Sequence, residues 1–518
     1  MPPAGSAYVH GVGPIGYQNC AACGARWRCI WQPPVYQRRQ RGPGLLAILA
    51  GLVGVAVVAL GGLWLFTRDS TSYPLRWDAR VAPIAARVEA LRALSFKHPV
   101  RVTYLSVPDF EKRLSTSPAD LKKHRKQIDE ATGLLRAAGL IGANVDLAKE
   151  VETTRTADTL AFYDFDTKAV YVRGSAAFTV ETRVTLAHEL THVLQDEQFD
   201  LTKLEKRAAN SKSGSSDALT ALIEGDATRV QDRYLGEQSS ADQQAYALLS
   251  AQSANQASQR TQSVPAVVET YFSAPYIFGP QVIRVLDAVG ANAAINAALT
   301  GPTPSTRIYL DPTALNDTPG IPAVPSLKDG ETKLSKFSNN DDAFDHFTLY
   351  LMLAARLDRP TALLAADAFL GGSEVLYSRS GVTCFRAALV GVNEKSDAFL
   401  RSVLARWTRS MPNAGIDSTG TPVEFHSCDP GRRATTSNDA AIREATSLAV
   451  GRDAVAAALV SAHVPSRVAA CAARVLVQQP GLRDELLGGK ASANAADLIR
   501  PGAVAAVACR RSTLAGLP

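Results

Sequence analysis

Apolar positions along the chain change their period several times, and each change marks an element. Residues 44–66, GLLAILAGLVGVAVVALGGLWLF, are apolar without interruption and carry no charge. As a helix these 23 residues would reach about 35 Å, enough to span a bilayer with some tilt. Beyond them, LRWDARVAPIAARVEALRAL (75–94) has helical apolar spacing, VRVTYL (100–105) reads as a strand, and 117–150 as helical. KAVYVRG (168–174) reads as a short strand entered through a turn at DFDT (164–167). In RVTLAHELTHVLQDEQFDL (183–201), Leu186, Leu190, Val193 and Leu194 recur at the i, i+4, i+7, i+8 spacing of a core-facing helical stripe. DALTALIEGDATRVQDRYL (217–235) is a second helix, with Ser215, Ser216 and Asp217 as candidate caps, joined to the first by the polar stretch KRAANSKSGSS. Residues 237–263, rich in Gln, Ser and Ala, read as a solvated helix. AFDHFTLYLMLAARL reads as a buried helix, and EVLYSRSGVTCFRAALVG as a hairpin turning at Ser380-Gly381.

These elements predict an α+β, helix-dominated fold with a small sheet ahead of the first of those two helices. The expected organisation is a disordered tail over 1–43, a transmembrane helix over 44–66, a main domain over 73–430, and a small Ala-rich helical domain over 436–518. No internal repeat is visible.

Candidate chemistry lies opposite the apolar stripe. His188 and His192 are four residues apart, so on a helix they project side by side and both imidazoles can reach one metal ion. Glu189 sits about 100° further round, within reach of a water on that metal. With eight histidines in 518 residues, this pattern should arise by chance in fewer than about one such chain in a hundred. A catalytic zinc takes three protein ligands and keeps one position open. Glu224, in the middle of the second helix, is the best third ligand. Its neighbour Gly225 costs about 1 kcal/mol within a helix and so asks for a reason. Ala221, Gly225 and Thr228 form a small-residue stripe expected to let this helix approach the first. Asp196, four residues after His192, competes for the ligand role. It is better suited to steadying a ligand histidine from outside, as is Asp226. Tyr271, Tyr276, Tyr309 and His346 are candidates to stabilise an oxyanion, and the sequence does not choose among them. The strand at 168–174, if it lies at a sheet edge, could accept an extended peptide through backbone hydrogen bonds.

HELTH followed by a glutamate on a second helix resembles the gluzincin class of zinc metallopeptidases. The stretches FKHPVRVTYLSVPDF, AFYDFDTKAVYVRG, VTLAHELTHVLQDEQFDL and ALIEGDAT resemble an uncharacterised group of membrane-anchored bacterial proteins with such a domain, over residues 73 to about 430. The resemblance implies a zincin-like domain with zinc on His188, His192 and Glu224, and Glu189 as the catalytic carboxylate acting on a zinc-bound water to hydrolyse a protein or peptide substrate. Thr228 departs from the class, many of whose members carry an aspartate there.

Charge and cysteines add a location. Arg26, Arg28, Arg38, Arg39 and Arg41 precede the apolar span, which by the positive-inside rule predicts a cytoplasmic N-terminus and an extracytoplasmic remainder. Cys384, Cys428, Cys471 and Cys509 all follow the span. Their spacing favours Cys384 with Cys428 and Cys471 with Cys509, bonds that persist outside the cytoplasm. Cys20, Cys23 and Cys29 precede it and read as reduced thiols. The net charge of +6 is mild, and no basic groove with interleaved aromatics points to nucleic acid. A non-catalytic zinc-binding envelope scaffold is the alternative to a peptidase. The state of oligomerisation is not encoded in any pattern here.

Overall fold

The computed structural model describes residues 73–479, apart from 175–177, 212–214, 318, 335–342, 418 and 436–437, together with Cys509. The expected tail over 1–43, the apolar span over 44–66 and the three N-terminal cysteines lie outside the described residues.

A three-stranded sheet forms first, among short helices. Helix α1 (Ala82–Arg92) leads to β1 (Arg101–Leu105). Helices α2 (Val107–Leu114) and α3 (Pro118–Lys123) follow, capped by Ser106 and Ser117, each of which takes the amide three residues on. Then come α4 (Arg125–Ala137), α5 (Leu147–Asp158), β2 (Ala161–Asp164) and β3 (Ala169–Arg173). The strand order is β1-β3-β2, with β3 parallel to β1 and antiparallel to β2. The strand read at 168–174 is therefore the central one, not an edge open to a peptide, because β1 pairs along its second side. The edge strands are β1 and β2, and β2 is wholly buried because the next helix lies against it.

That helix, α6 (Val180–Phe199), is capped by Thr179 and is buried without a break from Val184 to Asp196. The stripe bearing the histidines was expected to meet the second helix, which brings Glu224. It is covered by α8 (Ser216–Gly236), which follows the short α7 (Leu201–Ala209). Of the three candidate caps for α8, Ser215 is the one that accepts, from the Asp217 amide at 3.1 Å. Next come α9 (Ser240–Arg260), solvated on one side as its exposed Leu248 shows, and the long α10 (Ala266–Thr300).

Helices α8 and α10 cross at glycines. A Cβ on Gly225 would come within 2.5 Å of the Gly279 backbone, and one on Gly279 within 2.2 Å of the Ala221 carbonyl oxygen. The small-residue stripe of α8 thus serves α10, not α6 as expected, since the face one residue round from it is the one turned to the histidines. Helix α10 contains Pro275 and Pro280 and breaks at Ala291 (φ 49°, ψ −139°). Among the described residues it is the one helix long and apolar enough to cross a membrane. Here it packs along α8 on one side, with Val267, Phe278, Val282 and Ile283 in the core.

A second, larger sheet, which the sequence reading anticipates only in its central hairpin, follows. Its strands are β4 (Glu331–Lys333), β5 (Ala343–Phe344), β6 (Phe369–Arg379), β7 (Val382–Gly391), β8 (Ala414–Ile416) and β9 (Val423–Cys428). Their order is β4-β6-β7-β9-β8, with β5 also on β6. The β6–β7 turn falls at Ser380 and Gly381, both at positive φ, the two-residue geometry that matches strand twist. Cys384 and Cys428 face each other on β7 and β9 and are bonded. Helices α11 (His346–Ala354), α12 (Arg359–Ala368) and α13 (Glu394–Arg409) accompany this sheet; every residue of α11 is buried.

The C-terminal helices α14 (Asp439–Ser461) and α15 (Ser466–Val477) are the described part of the helical region expected from 436 onward, and α14 packs on the main core. Ile442, Ala445, Leu448 and Ala449 join the main core, and the Tyr350 hydroxyl donates to the Ala445 carbonyl at 2.8 Å. Alanine-rich faces let α14 lie close along α10. The outer half of α14, with α15 and Val285, makes a smaller cluster sealed by the Cys471–Cys509 bond.

The glycine crossing has a direct test. Gly225→Ala should destabilise the fold by at least about 2 kcal/mol in urea denaturation, because the methyl meets backbone that cannot rotate away. Gly236→Ala, in the same helix with open space at its Cβ, should instead gain about 0.5–1 kcal/mol.

Candidate metal centre

Helix α6 presents His188 and His192 one turn apart, and α8 brings Glu224 between them. His188 Nε2 lies 3.2 Å and His192 Nε2 3.1 Å from Glu224 Oε2, and the two ring nitrogens are 3.1 Å apart. The rings stand nearly perpendicular, at 82°, so each aims its own lone pair. Donor atoms bound tetrahedrally at about 2.0–2.1 Å sit about 3.3 Å from one another, so this triangle fits a single ion. Among the described residues these three form the one group of histidine, cysteine or carboxylate side chains close enough to hold a metal. Burial is nearly complete: His188 is 1 % exposed, and His192 and Glu224 are 0 %. Burial alone would raise the Glu224 pKa, but the two imidazoles outweigh it and hold the carboxyl below its usual range. Its Oε1 is buried without a hydrogen-bond partner, which a metal held by both carboxylate oxygens would satisfy.

Glu189 turns to the sheet. Its Oε2 accepts from the Tyr163 amide at 2.8 Å, a donor on the free edge of β2. The Tyr163 hydroxyl donates to Asp196 Oδ2 at 2.9 Å, and Lys168 Nζ reaches the same oxygen at 2.6 Å. Lys168 stands in the β2–β3 turn in a left-handed conformation (φ 49°). Asp196 therefore steadies the strand that holds Glu189, and does not hold a histidine as expected. Its lysine and tyrosine partners claim the oxygen first.

Gln195 holds the histidine instead. Its Oε1 lies 3.0 Å from His192 Nδ1, and its Nε2 donates to Ile223 O at 3.1 Å and to Asp226 Oδ2 at 2.8 Å. Asp226 does act from outside the ligand set, but through this amide. It is fully buried between two guanidiniums, with Arg92 Nε at 2.9 Å and Arg229 Nη2 at 3.2 Å. Arg92 continues to Asn292 and Asn296 on α10. Gln195, Tyr163, Lys168 and Arg92 were missed in the sequence. Gln195 had a signal, since i+3 from His192 is in reach of its ring; the others come from distant segments.

The oxyanion candidates are mostly committed elsewhere, because buried polar atoms take the partners packing offers. The Tyr271 hydroxyl lies 2.7 Å from Thr348 Oγ1, and the Tyr309 hydroxyl donates to the Asp217 carbonyl at 2.7 Å. Both rings meet Phe347 edge to face. His346 donates from Nε2 to the Phe369 carbonyl at 3.2 Å. Tyr276 is buried on α10.

His346 supplies a pH prediction. Burial, followed by the Arg307 charge, lowers its pKa from 6.5 to about 3, against the opposing hydrogen bond to Phe369. The unfolded chain therefore binds a proton here that the folded one refuses. The stability this gives is present above pH 6.5 and is lost as pH falls towards 3, at up to about 1.4 kcal/mol per pH unit. Chemical denaturation across that window should show this slope reduced in His346→Leu. No protein-family model, no curated protein and no solved structure matches this chain.

Proposed function

We propose that the chain is a membrane-tethered zinc metallopeptidase acting outside the cytoplasm, built on a zincin-like arrangement of α6 and α8. The observation that carries this reading is the meeting of His188, His192 and Glu224 beside Glu189. Two imidazoles and a carboxylate at tetrahedral spacing are a donor set that suits zinc. Zinc, when bound, lowers the pKa of a water toward 7 and polarises a carbonyl. In this reading Glu189 accepts a proton during attack and returns it to the leaving amine. The Tyr163 amide orients its carboxylate, and Asp196 with Lys168 keeps β2 in position. The apolar run at 44–66, with arginines before it, supports a tether with the remainder outside, and the two disulfides support an oxidising compartment.

A second reading, a non-catalytic zinc-binding envelope scaffold, is favoured by one observation. Glu189 is 1 % exposed, like the ligands beside it, so a substrate has no way in without movement of the surrounding elements. Turnover separates the two. Glu189→Gln should keep its zinc, measured by metal analysis of the purified full chain, and lose about 10²–10⁴ in cleavage of a denatured protein. His188→Ala and Glu224→Ala should lose the metal itself. Zinc bound stoichiometrically by a wild-type chain that cleaves no peptide in a diverse library would favour the scaffold.

A further inference from the structure

The amide of Gln195 can be oriented from its own partners. Both acceptors on one side of it, the Ile223 carbonyl and the Asp226 carboxylate, need hydrogens, and Asp226 already meets the guanidiniums of Arg92 and Arg229. The amide nitrogen carries two hydrogens, and these two contacts use both. The amide oxygen therefore lies on the other side, 3.0 Å from His192 Nδ1. An oxygen there accepts, so Nδ1 must carry the proton. Nε2 then keeps its lone pair, and Nε2 is the atom aimed at Glu224 Oε2 and His188 Nε2.

Resting on the reading of His188, His192 and Glu224 as metal ligands, we propose that Gln195 is a positioning residue that fixes the Nδ1–H tautomer of His192 and so dedicates Nε2 to the metal. Ligand histidines are commonly fixed this way by a carboxylate or a backbone carbonyl. Here a neutral amide makes the contact, and the carboxylate stands one step further back, neutralised by two arginines. The tautomer is imposed without a second negative charge against the ring. The relay also spans both helices of the site: Gln195 and His192 belong to α6, Ile223 and Asp226 to α8. The bonds that orient one ligand therefore also hold the helix that supplies another.

The test is metal affinity, read apart from turnover. Zinc dissociation constants of the full chain, from competition with a chromophoric chelator, are compared for wild type, Gln195→Met and Gln195→Glu. Methionine keeps the length and removes both donor and acceptor; affinity should fall about 10–100-fold. Glutamate keeps an acceptor for Nδ1–H but sets an oxygen, in place of two N–H donors, against the Ile223 carbonyl and the Asp226 carboxylate, so its affinity should fall between those of the wild type and the methionine variant. The visible bands of the cobalt-loaded protein should move in both, which a packing role alone would not produce. Two folded variants that bind zinc like the wild type, with unmoved cobalt bands, would overturn the proposal. Should Gln195→Met not fold, Gln195→Glu decides, since an anionic acceptor must shift the cobalt bands if the contact is real. A wild-type chain that binds no zinc overturns the relay and the metal reading together. Zinc binding without turnover, weakened in Gln195→Met, upholds the relay and removes only the peptidase.

Discussion

Helix α8 lies against α6, α10 and α1, and consecutive residues serve them. Glu224 turns to the imidazoles of α6, while Gly225 meets the backbone of α10 with no side chain between. Asp226, one residue on, takes the Gln195 amide and the buried Arg92. Three successive positions thus set the ligand, the helix spacing and the charge balance. A shift of α8 by even a methyl's width would move the carboxylate from its 3.1–3.2 Å contacts, where one ion can satisfy all three donors.

The cost of the arrangement is desolvation. Glu224, Asp226 and Arg92 are all removed from water, and isolated charges in such a place are expensive. They persist because they are grouped. Glu224 has two ring nitrogens, Asp226 has two guanidiniums and an amide, and Arg92 has Asp226 with Asn292 and Asn296. The asparagines sit beside the break at Ala291, where α10 leaves its regular path. An irregularity in the longest helix therefore contributes to a network that ends at a ligand histidine.

Much of this was legible in the residues. The i, i+4 histidines and the glutamate on a second helix come together because helical periodicity is a local property, and two such helices need only pack. The Ser380-Gly381 hairpin and both cysteine pairs were readable for the same reason: turn chemistry and spacing are written in short stretches. What could not be read depends on which element packs against which. Gly225 announced a close approach but not its partner. Nothing in the strand at 169–173 told edge from centre, which is decided by β1, some seventy residues earlier in the chain. Asp196 shared the histidine stripe, yet a lysine in a left-handed turn claims it. Nor does composition foretell that alanine-rich α14 buries its small face on α10.

The anchor of Glu189 has a consequence for how this site tolerates change. Its partner is the backbone nitrogen of residue 163, not a side chain. An alanine scan through β2 would remove the phenol that meets Asp196 and still leave that nitrogen where it is. Only an imino acid deletes the hydrogen it donates. The contact that aims the carboxylate is therefore indifferent to nineteen of the twenty amino acids, and its upkeep falls to whatever keeps the strand in register.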